Sequence, residues 1–480
     1  MDEPNHHQPS PSRRRFIAAA SAATAAVTIL PRRIIGGPRF VAPSDTVNVG
    51  VIGVGGQGLT NVRALLQEKD CRVVAIADPA EEWDLHAFYY GGKAGRGPVK
   101  AEIERAYASA TPGYRCAAYV DFREMLDKER ALDAVLVATP DHLHAYASIL
   151  AMKAGKHVYC EKPLTHSVWE ARQVARVAAE TGVATQLGNQ GRSGEGHRQT
   201  AEWIWDGAIG AVREVHAWNT SLDTDIWRPF ARPEGSPPVP KGLDWDLWLG
   251  PRAKRPWHPA YAPVTWRGFW AFGGGTLPDM AIHHLDPAFD ALSLEAPETV
   301  EASAAGGTDA EVCSRGLLVT WRFAATEKRG PVSVYWYDGG LRPPTPPGID
   351  PDDPRQRLGE GENGILFVGE RGFITCAGWS GMPRLLPLER HREYVRPPKT
   401  LPRVEGGHHA DWLQACKGGR PACSHFGYGA RLSEFVMLGN VALRTGRLLR
   451  WDAAGMRATN AKEADRYLRE EYRKGWELPA

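Results

Sequence analysis

The sequence predicts an α/β protein: a doubly wound parallel sheet first, then an α+β domain with a large, open, mostly antiparallel sheet. Three observations predict it. Between Val47 and Gly188 short apolar runs alternate with helical segments, the pattern of a parallel sheet covered on both faces. A glycine-rich turn, Gly53-x-Gly55-x-x-Gly58, joins the first strand to the first helix. After Gly188 strand-like runs are separated by Gly- and Pro-rich loops, and few long helices intervene. The expected division is a leader and linker over 1–45, the parallel-sheet domain over 46–188, and the second domain with a helical tail over 189–480.

The first strand is the β-branched run from Val47 to Val54, and Leu59 to Gln67 follows as helix. Gly53 permits the tight turn between them. Gly55 lets the backbone approach a pyrophosphate, with Gln57 in the same turn, and Gly58 lets the helix pack close to the sheet. The helix N-terminus presents free N–H groups to the anion. A second strand, Arg72–Ala77, ends at Asp78, twenty residues beyond Gly58. A carboxylate there accepts the ribose hydroxyls of NAD. With no arginine directly after Asp78, NAD is favoured over NADP, whose phosphate the carboxylate repels. This is the dinucleotide-binding, or Rossmann, arrangement. Further strands are read at Ala131–Thr139, Val158–Cys160 and Val183–Leu187, with helices at Ala145–Ala154 and Val168–Glu180. Pro79 to Gly113 is too long for a simple connection and reads as an inserted loop over the cofactor. The second sheet draws on Val212–Trp218, Val300–Ala304, Leu317–Phe323, Val332–Tyr337, Ile365–Val368 and Phe373–Cys376.

Charge is nearly balanced, 58 Lys and Arg against 56 Asp and Glu. No basic stripe lies beyond the N-terminus, which argues against nucleic acid as a partner. Seven scattered cysteines without a Cys-x-x-Cys pair give no zinc spacing. They read as small buried apolar residues, with a Cys416–Cys423 disulfide left open. At the N-terminus, Arg13 and Arg14 precede the uncharged, Ala-rich stretch Ile17–Leu30. This is the pattern of a twin-arginine export signal, so the export machinery is an expected partner and the periplasm the expected location. No Ala-x-Ala site follows Leu30 directly, which leaves cleavage undecided. A protein exported folded carries its cofactor with it, so NAD is expected to be tightly held.

The candidate chemistry sits at strand ends, where ligands bind in an open α/β sheet. Thr139, Pro140 and His144 follow one strand, and Glu161-Lys162-Pro163 follows the next. The proline restricts Lys162 and helps aim it into the nicotinamide pocket. Asp279 and His283, four apart after Gly274-Gly275, share one face of a helix. A histidine oriented by a carboxylate suits proton transfer to or from a hydroxyl.

Taken in order, the glycine motif, Glu-Lys-Pro and Gly-Gly…Asp-x-x-x-His resemble the Gfo/Idh/MocA family of oxidoreductases from about Val47 to Val441. The resemblance implies a catalytic group of Lys162, Asp279 and His283, with His144 near the cofactor. It also implies a second-domain sheet that commonly serves homo-oligomer formation. Glu161, Asn189 and Gln190 complete the expected cofactor-contacting set, and Gly188-Asn189-Gln190-Gly191 marks an exported, loop-rich branch. Nine of 17 tryptophans lie between Trp203 and Trp270, an excess read as carbohydrate stacking. Trp227 with Arg228, Trp266 with Arg267, His284 and Tyr337 are the expected substrate contacts. The expected activity is NAD-dependent oxidation or reduction of a sugar hydroxyl. The alternative is a redox-neutral glycosidase or lyase that oxidises the ring transiently on bound NAD.

Overall fold

The computed structural model describes residues 45–220, 231–306 and 309–479. The Arg13–Arg14 leader, Trp227 and Arg228 lie outside the described residues. Eight strands open the fold: β1 Val47–Ile52, β2 Cys71–Ala77, β3 Trp83–Asp84, β4 Lys93–Ala94, β5 Ala117–Tyr119, β6 Ala134–Val137, β7 His157–Cys160 and β8 Thr185–Leu187. Six form one sheet in the order β5-β2-β1-β6-β7-β8, every neighbouring pair parallel. The direction of winding reverses between β1 and β6, and such a switch point opens a crevice at the carboxyl ends of the strands.

Helices cover both faces of this sheet, so its strands carry almost unbroken apolar runs. On β6 alternate residues feed two cores. Ala134 and Leu136 join Val49 and Val51 on one face, and Val135 and Val137 join Ile52 and Met125 on the other. Register then places the functional residues. Ile52 pairs with both Ala77 and Val137, so Gly53, Asp78 and Ala138 emerge side by side, and Val137 opposite Cys160 brings out Glu161 next. The helix Val168–Thr181 is fixed at both ends. Ser167 and Glu170 form a reciprocal capping box, and Gly182 stops the helix at φ +64°.

The segment expected as an inserted loop is ordered structure. It carries the β3–β4 hairpin and a helix, Arg96–Tyr107, which buries only Val99 and Ile103. With so few apolar positions the helix leaves almost no periodic trace in the sequence.

Nine strands form the second sheet: β9 Val212–Asn219, β10 Thr299–Ala305, β11 Gly316–Phe323, β12 Val332–Asp338, β13 Asn363–Gly369, β14 Gly372–Cys376, β15 Arg384–Leu386, β16 Leu449–Asp452 and β17 Arg457–Ala458. Their order is β15-β14-β13-β9-β12-β11-β10-β16-β17. Every pairing is antiparallel except β9 with β12. The helices Thr276–Ala291 and Phe426–Thr445 pack on one face. On β12, Val334 and Trp336 are buried beneath that cover, while Tyr335 and Tyr337 alternate with them on the other face. Tyr337 therefore stacks with His216 and Tyr335 on the far side of the sheet, not at the expected substrate site. A strand's two-residue period allows no other outcome once Trp336 is inside.

Candidate active site

The carboxyl edge of the parallel sheet opens into a cleft. In strand order it is lined by Asp78, by the turn Gly53 to Gln57, by Thr139, Pro140 and His144, and by Glu161 and Lys162. Each glycine of the turn has a separate reason. Gly53 lies at φ +83°, and a Cβ there would meet the Ala138–Thr139 backbone at 2.7–2.8 Å. A Cβ on Gly58 would overlap the carbonyl oxygen of Gly53. At Gly55 a Cβ meets nothing nearer than Trp83 at 3.9 Å, which is open space above the N-terminus of the helix Gly56–Leu65. Among the described residues no side chain caps that helix. Uncapped N–H groups facing open space fit the pyrophosphate of a dinucleotide. The ring of Tyr90, from the β3–β4 hairpin, lies against Gly56, so the insertion does cover the glycine turn.

Asp78 is buried and helps hold the turn. Its Oδ2 accepts from Val54 N at 2.8 Å, and its Oδ1 from Ala80 N at 2.9 Å and Trp83 Nε1 at 3.2 Å. A carboxylate offers about four acceptor positions, so one remains for a ribose hydroxyl. Arg96 is close in space, and its guanidinium is engaged by the Asp78 carbonyl and Glu81. Glu161 is also buried, and its Oε1 gathers Asn61 at 2.9 Å, Gln190 at 3.1 Å and Gln57 at 3.4 Å. Gln190 thus supports the cleft wall without lining it. Asn189 departs from expectation: it donates to Asp286 Oδ2 at 2.8 Å and accepts from Ser424 in a buried polar network outside the cleft.

His144 clasps two strand ends. Its ring nitrogens face the Pro163 carbonyl at 2.6 Å and the Thr139 carbonyl at 2.7 Å. Burial, with Lys162 and Arg267 adding to it, holds this histidine down to about 4. A neutral ring has one N–H, so it donates to one of the two carbonyls.

Beyond β7 lies the charged centre. Lys162 Nζ donates to Asp279 Oδ1 at 2.6 Å and to its backbone carbonyl at 2.9 Å, and Arg267 Nε reaches the same carboxyl oxygen at 3.2 Å. Burial alone would raise the Asp279 carboxyl, but Lys162 and Arg267 outweigh it and hold the group below the usual carboxylate range. Asp279 and His283 do share the helix Thr276–Ala291. The carboxylate, however, is turned to the two cations, and His283 Nδ1 is buried with no hydrogen-bond partner among the described residues. The i, i+4 spacing is right and the inferred hydrogen bond is not, because full cations compete better for a carboxylate than a neutral imidazole. Burial, then the charge of Lys162, keeps His283 well below its ordinary pKa and hence neutral at pH 7.

Comparison with known proteins matches residues 47–189 to the Gfo/Idh/MocA model described as an oxidoreductase family, NAD-binding Rossmann fold. Residues 230–324 match the same family's C-terminal α/β domain. The chain belongs to the Gfo/Idh/MocA oxidoreductase family. It is 26% identical over 254 residues to 1,5-anhydro-D-fructose reductase of Ensifer adhaerens, covering 52% of this chain and 65% of that protein. It is also 26% identical over 200 residues to 2,7-anhydro-N-acetylneuraminate hydratase of Mediterraneibacter gnavus, covering 40% and 45%. The chain thus spans about half to two thirds of the length of these relatives. The solved structure of the WlbA dehydrogenase from Bordetella pertussis, in complex with NADH and UDP-GlcNAcA, shares the fold. Its TM-score is 0.53 at 18% identity, over 85% of this chain and 99% of that one.

Within this Gfo/Idh/MocA cleft the structure adds residues that sequence reasoning passed over. Asp141, the first residue of the helix after Pro140, lines the cleft and is buried. Burial pushes its carboxyl up to about 7 against the pull of Arg267, with Asp279 adding to the rise. Its place directly after Thr139-Pro140 at a strand end was the available signal. Trp83, Trp248 and Tyr90 also line the cleft. The aromatic block resolves mostly into core. Trp245, Trp248, Trp257, Tyr261 and Phe272 pack on one another as a hydrophobic cluster. Trp203, Trp218 and Trp270 are buried in the main core or beneath the loops of the second sheet. Of the described members only Trp248 and Trp266 reach the cleft, where Arg267 lies 4.2 Å over the Trp266 ring. His284 does not line the cleft: its Nδ1 meets the Met280 carbonyl at 2.9 Å, and its ring sits edge-on to Trp336. All seven cysteines are free, Cys416 and Cys423 included.

Buried histidines set the acid limit of this fold. His144, His166, His284, His408 and His409 are each held down to about 4, chiefly by burial. Between roughly pH 6.5 and 4 the unfolded chain binds protons at these sites that the native protein does not. The histidine contribution to stability is therefore full above pH 6.5 and falls with acidification by about 1 kcal/mol per pH unit for each. Asp141, whose carboxyl is raised to about 7, acts in the opposite sense and offsets roughly one of the five. Guanidinium unfolding at pH 7.5, 6, 5 and 4.5 measures the slope; a flat profile contradicts it.

Proposed function

We propose that this protein is an NAD(H)-dependent oxidoreductase acting on a hydroxyl of a sugar or sugar derivative. The observation that carries the reading is the Lys162–Asp279–Arg267 charge cluster at the end of β7, at the same cleft as the open glycine turn. Gly53, Gly55, Gly58 and Asp78 would hold the dinucleotide, which when bound supplies the hydride acceptor. His283, neutral at pH 7, takes the hydroxyl proton as the carbon gives up its hydride, leaving a carbonyl. Lys162, fixed by Asp279, faces the oxygen and stabilises the negative charge that develops on it. Arg267 and Trp266 border the substrate end of the cleft.

The hydratase among the relatives favours keeping a second reading, redox-neutral cleavage or hydration with NAD retained. Arg13 and Arg14 support export of the folded protein to the periplasm, where a captive cofactor has most value. One preparation tests these together. Protein is isolated from the periplasmic fraction of its expression host, denatured, and the released nucleotide identified; in parallel NADH formation and aryl-glycoside cleavage are assayed. Export with a held cofactor predicts about one NAD per chain. A net dehydrogenase forms NADH in proportion to sugar, whereas a redox-neutral enzyme cleaves without it. Protein retained in the cytoplasm, or free of nucleotide, overturns the export and captive-cofactor part of the reading.

A further inference from the structure

The segment after β14 carries two consecutive non-glycine residues in the left-handed region, Trp379 at φ 52° and Ser380 at φ 59°. Such backbone persists only where its surroundings fix it, and here they do. Gly378 N donates to Asn363 Oδ1 at 3.0 Å. The carbonyls of Trp379 and Ser380 press on Gly191 and Gly196 so closely that a Cβ on either glycine would overlap them. Gly191 and Gly196 thus seat the strained turn.

What the turn presents is an indole. Most of the described tryptophans are buried, yet Trp379 is 44% exposed. Its ring centroid lies 5.8 Å from that of His283 and 5.7 Å from that of His284. Among the described residues its N–H has no protein partner, so a flat apolar face and one donor are available beside the proposed base. A pyranose or cyclitol has the matching chemistry: an axial C–H face for the ring and a rim of hydroxyls for the N–H.

Resting on the reading above, we propose that Trp379 is the stacking platform that positions the sugar ring over His283. The backbone strain is the means by which a loop residue reaches that place. The test uses full-length protein, saturating NAD, and D-glucose, D-galactose and myo-inositol as probes, with Trp379→Ala and Trp379→Phe beside the wild type. For the best-oxidised probe, Trp379→Ala should raise KM about tenfold or more, with most of the loss in kcat/KM falling on KM, and Trp379→Phe should recover most of it. Binding read by quenching of intrinsic fluorescence should follow the same order. Unchanged KM in an active Trp379→Ala protein, or a Phe variant no better than Ala, overturns the proposal. So does the absence of any probe whose binding depends on Trp379. Binding that depends on Trp379 without NADH formation overturns the hydride-transfer reading and leaves the platform standing.

Discussion

Lys162→Met should lower the rate of hydride transfer by about 10³-fold, within the 10²–10⁴ range typical of a positioned acid–base group, while the protein remains folded. Methionine keeps the length of the side chain and removes its charge. The Asp279 carboxylate then retains Arg267, 3.2 Å away, as its counter-ion, so no buried charge is stranded. Single-turnover measurement of NADH formation isolates the chemical step, and the amount of co-purifying nucleotide shows whether binding survives. His283→Ala should give a loss of similar size, with a different pH profile because the proposed base is gone. Full activity in both variants would mean that the reaction takes place elsewhere.

The second large effect is on the fold. Asp279→Ala leaves Lys162 and Arg267, with side chains 15% and 14% exposed, facing each other without the carboxylate between them. Removing one partner of a buried ion cluster costs about 3–5 kcal/mol. Unfolding by guanidinium should show a loss of that order, and Asp279→Asn a smaller one, since the amide still accepts. Combining Asp279→Ala with Lys162→Met should destabilise by less than the sum of the single changes, because the second change removes a charge that the first had stranded. Strict additivity would show that the two side chains do not interact in solution.

The residues legible in the sequence are those whose chemistry is local. Gly53, Gly55 and Gly58 announce a turn because the turn itself requires them, and Asp78 and Lys162 are found by counting to the ends of strands. Residues whose roles depend on distant partners are less legible. The i, i+4 spacing pairs Asp279 with His283, four residues away, whereas its stronger partners are 117 and 12 residues distant. The tryptophan excess was visible, but which rings face a cleft and which face one another is decided by tertiary packing. Tyr337 lies one step of a strand's alternation away from the buried face that Trp336 occupies. Trp379 gave no signal at all, because nothing in Ala-Gly-Trp-Ser-Gly announces that the non-glycine residues take the left-handed conformation.

The Lys162–Asp279 contact has a consequence beyond chemistry. Lys162 hangs from the rim of the parallel sheet, whereas Asp279 rides on a helix lying against the nine-stranded sheet. The proposed reactive pair is thus also a rivet between the two layers of the molecule. Any relative slip of those layers would be felt first as a change in the aim of the ammonium group. Substitutions far from the cleft that loosen this seam should therefore register as misaligned chemistry before they register as loss of fold.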